Sequence, residues 1–177
     1  RNEDGVDPNS ITETFVAAKL MFDNYRWSGV PFYVRTGKKL ADKFTRIDVV
    51  FKKPLIDIFA NPRMKSEQSL NSNVLTIFVE PNSGFSLRLN AKRAGQGFTT
   101  EPVDLKYLQS AEAKNESPEP YERLFHDALE GNHTNFASWA EIAYAWKFVD
   151  VIRKLWDIEE PQFPNYTPGS MGLSFMG

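Results

Sequence analysis

Four cations, Arg35, Lys38, Lys39 and Lys43, fall between positions 35 and 43, directly after the apolar run Val30-Pro31-Phe32-Tyr33-Val34. The glycine of Arg35-Thr36-Gly37-Lys38 marks a turn where that run ends. Cations delivered at the end of a buried strand suit an anionic small molecule such as a sugar phosphate. A fixed ammonium and a phosphate oxygen form a charge-assisted hydrogen bond. Taken alone, the cluster reads more simply as solvated loop charge.

The carboxylates that stand out are Asp42, Asp48, Glu80 and Asp127. Glu80 closes the apolar run from Val74 and is placed to share a mouth with Lys38; the plainer reading is an exposed strand-end acid. His126, Glu130 and His133 are spaced by four and three residues, which on one unbroken helix would suit a metal. Gly131 interrupts that helix, so these read as surface or interface histidines and no metal is expected. Gly95-Gln96-Gly97 lacks the third glycine of a dinucleotide fingerprint. Thr36-Gly37-Lys38 ends like a phosphate-binding loop, but Phe32 stands where its first glycine belongs. No coenzyme-binding residue is therefore assigned, and two histidines do not make a catalytic triad by spacing.

The totals narrow the function classes. Twenty-one Lys and Arg against 23 Asp and Glu give a formal charge of -2, which argues against a sequence-independent grip on nucleic acid. No cysteine is present, which excludes disulfides and thiolate chemistry. No run of about 18 apolar residues occurs, so no membrane span is expected. The polar, acidic start cannot be a signal peptide; cytoplasmic placement is expected, and the absence of cysteine is compatible with it. The start at Arg1 suggests a fragment or a processed product. A length of 177 residues fits one domain, residues 1–177, with a real core.

The elements that must carry these groups follow from periodicity. Thr14 to Phe22 is apolar on both faces apart from Lys19, as in a strand covered on both sides. Val30 to Arg35 follows the turn Asp23-Asn24. Ile47, Val49 and Phe51 share a face. Val74 to Glu80 and Phe85 to Lys92 flank Pro81-Asn82-Ser83-Gly84 and read as a hairpin. Phe85, Leu87, Leu89 and Ala91 point one way, and Ser86, Arg88, Asn90 and Lys92 the other. A further strand is expected over Val103 to Gln109. Pro54 to Asn73 and Ala111 to Ser117 read as connectors.

Then the period changes. Tyr121, Leu124, Phe125, Ala128 and Leu129 line one helix face, stopped by Gly131. Ser138 and Glu141 form a capping box before a second helix, with Ile142, Ala145, Trp146, Val149, Ile152 and Trp156 as its stripe. The tail from Pro161 reads as irregular. Strands first, then helices, is the order of an α+β domain with a large, mostly antiparallel sheet and helices on it. A doubly wound Rossmann sheet is absent. An apolar sheet face left over is a candidate subunit interface.

The order of segments is specific. Thr14-Phe15-Val16-Ala17-Ala18-Lys19-Leu20, then Asp23-Asn24-Tyr25-Arg26-Trp27-Ser28-Gly29-Val30-Pro31-Phe32-Tyr33-Val34-Arg35-Thr36-Gly37-Lys38, resemble glucose-6-phosphate dehydrogenase of bacterial type. The likeness continues in Asn73 to Ile77 with Glu80-Pro81-Asn82-Ser83-Gly84. It continues in Tyr121-Glu122-Arg123-Leu124 with Asp127 and Gly131, and in Ala145-Trp146.

The resemblance implies a C-terminal domain akin to those of glyceraldehyde-3-phosphate dehydrogenase-like folds, on the substrate side and in dimerisation. The family oxidises glucose 6-phosphate to 6-phosphogluconolactone and reduces NADP. The coenzyme loop, the catalytic histidine and further phosphate-binding lysines belong to an N-terminal part that is not in this chain. The fragment alone is therefore expected to be inactive, with no catalytic residue of its own. Residue by residue, the resemblance implies substrate contacts at Lys38 and Lys43. It also implies one at Glu80, where the family usually has Gln; ionised Glu only accepts hydrogen bonds. Arg35 and Lys39 fall back toward structural or solvent roles. Phe78 occupies the position of an arginine that serves a structural NADP in some animal members, so none is expected here. The partners implied are glucose 6-phosphate and a second copy, as homodimer or homotetramer through the sheet. The other readings open are a stand-alone sugar-phosphate-binding module and a dimerisation module without catalysis.

Overall fold

Residues 4–56, 70–95, 99–110, 112–113, 119–159 and 166–172 are described in the computed structural model of the chain. The elements described in full are β1 (Phe15–Met21), β2 (Pro31–Gly37), β3 (Thr45–Val50), β4 (Val74–Glu80), β5 (Gly84–Lys92) and β6 (Thr100–Leu108). Two helices follow, α1 (Pro120–Leu129) and α2 (Trp139–Glu159). They fall into two compact units, Arg1–Lys43 with Trp139–Gly177, and Phe44–Ser138.

In the first unit β1 and β2 pair antiparallel from Phe15 opposite Gly37 to Met21 opposite Pro31. The connecting turn forms where Asp23-Asn24 was expected to turn the chain. The Asn24 side chain accepts from the Trp27 N–H at 2.9 Å, and its carbonyl accepts from Ser28. Trp27 and Phe22 then set ring edges against Phe32, with centroids 5.2 and 4.9 Å apart. β1 was expected to be covered on both faces. Phe15 to Ala18 and Leu20 are instead half-buried, with Lys19 and Met21 exposed. β2 runs two residues past its expected end, to Gly37. Arg35 therefore sits in the ladder opposite Ala17 rather than on the turn.

The second unit is a meander, β3-β4-β5-β6, with every neighbour antiparallel. Residues directly opposite share a face. Ile47, Ile77, Phe85 and Tyr107 make one cross-strand row, and Val49, Leu75, Leu87 and Leu105 the next. The reverse face is mixed: Val50, Val74 and Phe78 lie on it beside polar pairs. Thr76 donates to Asp48 at 2.7 Å, and Arg88 grips both oxygens of Asp104 at 2.8 and 3.1 Å. β6 begins at Thr100, earlier than expected, and takes in Pro102. It is the last strand of the sheet order, where a residue without an N–H is tolerated.

α1 ends where Gly131 was expected to stop it, with Gly131 at φ 69°. Pro120 opens the helix, a position where its missing N–H costs nothing. α2 spans 21 residues, about 31 Å at the usual rise. Arg153 on α2 bonds Glu13 just ahead of β1 at 3.0 Å. The antiparallel α+β architecture expected from the sequence is thus present, with the pairing divided between a two-stranded and a four-stranded sheet. Among the described residues no apolar side chain is fully buried. No helix among them is long and apolar enough to cross a membrane. The connector regions around 57–69 and 114–118 lie outside the described residues.

Candidate substrate-side site

Lys38 is set by the end of the β1–β2 ladder. Its N–H donates to the Thr14 carbonyl at 2.8 Å, extending the pairing one residue past Gly37. Gly37 is required by close packing. A β-carbon there would lie 2.7 Å from Phe15 Cδ2 and 3.3 Å from the Thr14 carbonyl oxygen. At Lys39 the chain turns through the left-handed region, φ 50°, which costs a non-glycine residue roughly 1–2 kcal/mol. Hydrogen bonds on either side hold it there. The Gly169 N–H donates to the Lys39 carbonyl at 2.8 Å, and the Ala41 N–H donates to the Ser170 carbonyl at 2.9 Å.

The side chains of Lys38 and Lys43 are exposed and bracket this turn within the first unit. Two ammonium groups on a braced turn can hold an anion by charge-assisted hydrogen bonds. Glu80 is exposed at the end of β4, opposite Thr45, and belongs to the second unit. The three residues expected at the site thus come from two units.

His126 and His133 both lie in the second unit. His126 Nε2 is 3.6 Å from Glu130 Oε1, one exposed turn of α1 apart, and His133 lies beyond Gly131. Among the described residues no group of three or more His, Asp or Glu is placed to hold a metal ion. What organises this region is Asp127, the one buried polar side chain among the described residues, 7% exposed. Its two carboxylate oxygens accept from the side-chain amides of Asn132 at 3.0 Å and Asn135 at 2.6 Å. Its carbonyl accepts from the Asn132 N–H at 2.8 Å. A small cavity beside it is lined by Ala128, Gly131, His133 and Phe136.

Residues 1–175 match the family model described as glucose-6-phosphate dehydrogenase, C-terminal domain. The chain belongs to the glucose-6-phosphate dehydrogenase family. It is 47% identical over 171 residues to glucose-6-phosphate 1-dehydrogenase of Bacillus subtilis (strain 168), covering 97% of this chain and 34% of that protein. It is 43% identical over 167 residues to the enzyme of that name from Leuconostoc mesenteroides, covering 94% and 33%. Among solved structures it is similar to a glucose-6-phosphate dehydrogenase in complex with its substrate glucose-6-phosphate. The TM-score is 0.79 at 28% identity, over 98% of this chain and 34% of that one. A second, glucose-6-phosphate 1-dehydrogenase from Mycobacterium avium, gives a TM-score of 0.72 at 27% identity, covering 96% and 34%. The chain therefore spans about a third of the length of the curated relatives it matches.

The sequence reading missed Tyr166. Its hydroxyl lies 3.0 Å from the Lys38 carbonyl, in a tail expected to be irregular. An aromatic residue inside a proline- and glycine-rich tail was the available signal.

Proposed function

We propose that this chain is the substrate-side and oligomer-forming part of a cytoplasmic NADP-dependent glucose-6-phosphate 1-dehydrogenase. That enzyme oxidises D-glucose 6-phosphate to 6-phospho-D-glucono-1,5-lactone in the pentose phosphate pathway. In this reading Lys38 and Lys43 hold the sugar phosphate, and Glu80 accepts hydrogen bonds from its hydroxyls. The observation that carries the reading is the Lys38 turn, braced on both sides, in a chain matched by the family model over residues 1–175.

Coenzyme binding is assigned elsewhere. Among the described residues all strand pairs are antiparallel, and no strand leads through a glycine-rich turn into a helix. This is not the layout that cradles a dinucleotide pyrophosphate. The isolated chain is therefore expected to reduce no NADP. Mixing the purified chain with glucose 6-phosphate and NADP tests this by absorbance. Turnover at a rate near that of the complete dehydrogenase would overturn it.

The deciding experiment for the site is Lys38→Gln in the complete dehydrogenase polypeptide. Loss of one charge-assisted hydrogen bond, about 1.5–3 kcal/mol, raises the KM for glucose 6-phosphate roughly tenfold to a hundredfold. An unchanged KM would remove Lys38 from the site. Glu80→Gln is expected to alter the same KM only modestly, because Gln keeps an acceptor and adds a donor.

The apolar rows of the four-stranded sheet favour a second role, association with another copy of the chain. Sedimentation with and without glucose 6-phosphate separates the two roles: an interface alone gives an oligomer indifferent to the sugar.

A further inference from the structure

Lys38 has a flexible side chain, so the position of its ammonium depends on how firmly its backbone is held. Residues 166–172 hold that backbone. The Tyr166 hydroxyl lies 3.0 Å from the Lys38 carbonyl, 3.2 Å from Thr14 Oγ1 and 3.4 Å from the Thr14 carbonyl. A phenol has one proton to give. The shortest contact takes it, so Tyr166 donates to Lys38 and accepts from the Thr14 hydroxyl. The Tyr166 ring packs on Phe15, with centroids 5.0 Å apart and planes 31° apart. Phe15 also fills the space over Gly37, and it lies so close to Gly172 that a β-carbon there would overlap its ring.

The next contacts follow in order along the turn, from Gly169 to the Lys39 carbonyl and from Ala41 to the Ser170 carbonyl. The strap is braced within itself. Ser170 Oγ donates to the Thr167 carbonyl at 2.6 Å, and the Gly172 N–H donates to Ser170 Oγ at 3.1 Å. Thr14, Lys38, Lys39 and Ala41 are thus tied to one short segment far along the chain.

We propose that Tyr166 is a positioning residue for substrate binding, acting through the Lys38 carbonyl to aim the Lys38 ammonium. This rests on the reading of Lys38 as a sugar-phosphate contact. Tyr166 touches no substrate in this scheme. Its hydroxyl fixes the peptide that follows the Lys38 α-carbon, while the Thr14 carbonyl fixes the peptide before it.

The test uses the complete dehydrogenase polypeptide with Tyr166→Phe, Lys38→Gln and the double variant. Phe keeps the ring on Phe15 and removes only the hydroxyl. Tyr166→Phe is expected to raise the KM for glucose 6-phosphate about threefold to tenfold, the range of one lost neutral hydrogen bond. The NADP KM stays unchanged and kcat stays within about twofold, as for an interaction that binds ground and transition states alike. On the Lys38→Gln background the same change is expected to add less than about 1.5-fold, because coupled residues are not additive. Thr14→Val removes the other hydroxyl of the network and is expected to raise the same KM about twofold, again only when Lys38 is present.

An unchanged KM in Tyr166→Phe, with a raised KM in Lys38→Gln, overturns the positioning role and keeps Lys38 at the site. An equal rise on both backgrounds overturns it in favour of a structural role. An unchanged KM in Lys38→Gln overturns the Lys38 reading and the positioning role together. Should Tyr166→Phe not fold, Thr14→Val with and without Lys38 decides by the same comparison.

Discussion

Asp127 shows how a single side chain can organise a loop. A buried carboxylate is tolerated only when its lone pairs are used, and both oxygens here meet amide donors from Asn132 and Asn135. Asp127→Ala would leave those two amides without their acceptors. The expected loss is about 1.5–3 kcal/mol, the range of hydrogen bonds to a charged acceptor, read from urea unfolding of the polypeptide. Asp127→Asn is expected to lose less, because its one carbonyl oxygen still accepts from one of the two amides while its NH2 faces the other donor to donor. At this scale the sequence was informative wherever chemistry and chain position coincide. Lys38 stood out because an apolar run, a glycine and a cation follow one another. Tyr166 was hidden because its partners Lys38 and Thr14 are 128 and 152 residues away, and no local pattern encodes such a contact.

α2 illustrates the same division among elements. Its existence was legible from the apolar period, and α1 and the β4–β5 hairpin were legible from Gly131 and from Pro81 to Gly84. Strand ends were less so: β2 and β6 extend beyond the apolar runs because pairing, not hydropathy, decides where a ladder stops. The tether of α2 was not legible at all. Arg153 meets Glu13 at 3.0 Å across 140 residues of sequence. The Glu13 carboxyl lies below its ordinary value of 4.5, first through a bond from its own backbone and then through Arg153. A carboxylate with a lowered folded value stabilises above its unfolded value, and that contribution disappears as pH falls through the folded value. Glu13→Gln should therefore cost about 0.5 kcal/mol at neutral pH, given that the pair is partly exposed. The difference from the unsubstituted polypeptide should vanish at the acid end of a thermal-midpoint titration. A difference that persisted there would assign the loss to something other than the ion pair.

The four-stranded sheet carries one face of continuous apolar rows, of which several side chains are exposed. Ile47 is 53% exposed, Phe85 46%, Leu105 53% and Tyr107 57%, all on the face built by the cross-strand rows. The opposite face carries Asp48, Thr76, Arg88 and Asp104 in hydrogen-bonded pairs, which suits water. Exposed apolar surface of this continuity suits a contact surface, and the opposite face mixes these paired polar groups with Val50, Val74 and Phe78. If a second copy covers it, one charge in the middle of the rows must be desolvated on association. Leu105→Glu is then expected to raise the dissociation constant at least about a hundredfold, close to 3 kcal/mol. Lys106→Gln, one residue on and on the other face, is expected to leave association unchanged. Sedimentation velocity across a concentration series reads both. A Leu105→Glu protein that assembles like its parent would show that the sheet face is covered by something other than a second copy. The same series on Lys38→Gln should leave assembly intact, since that lysine belongs to the other unit.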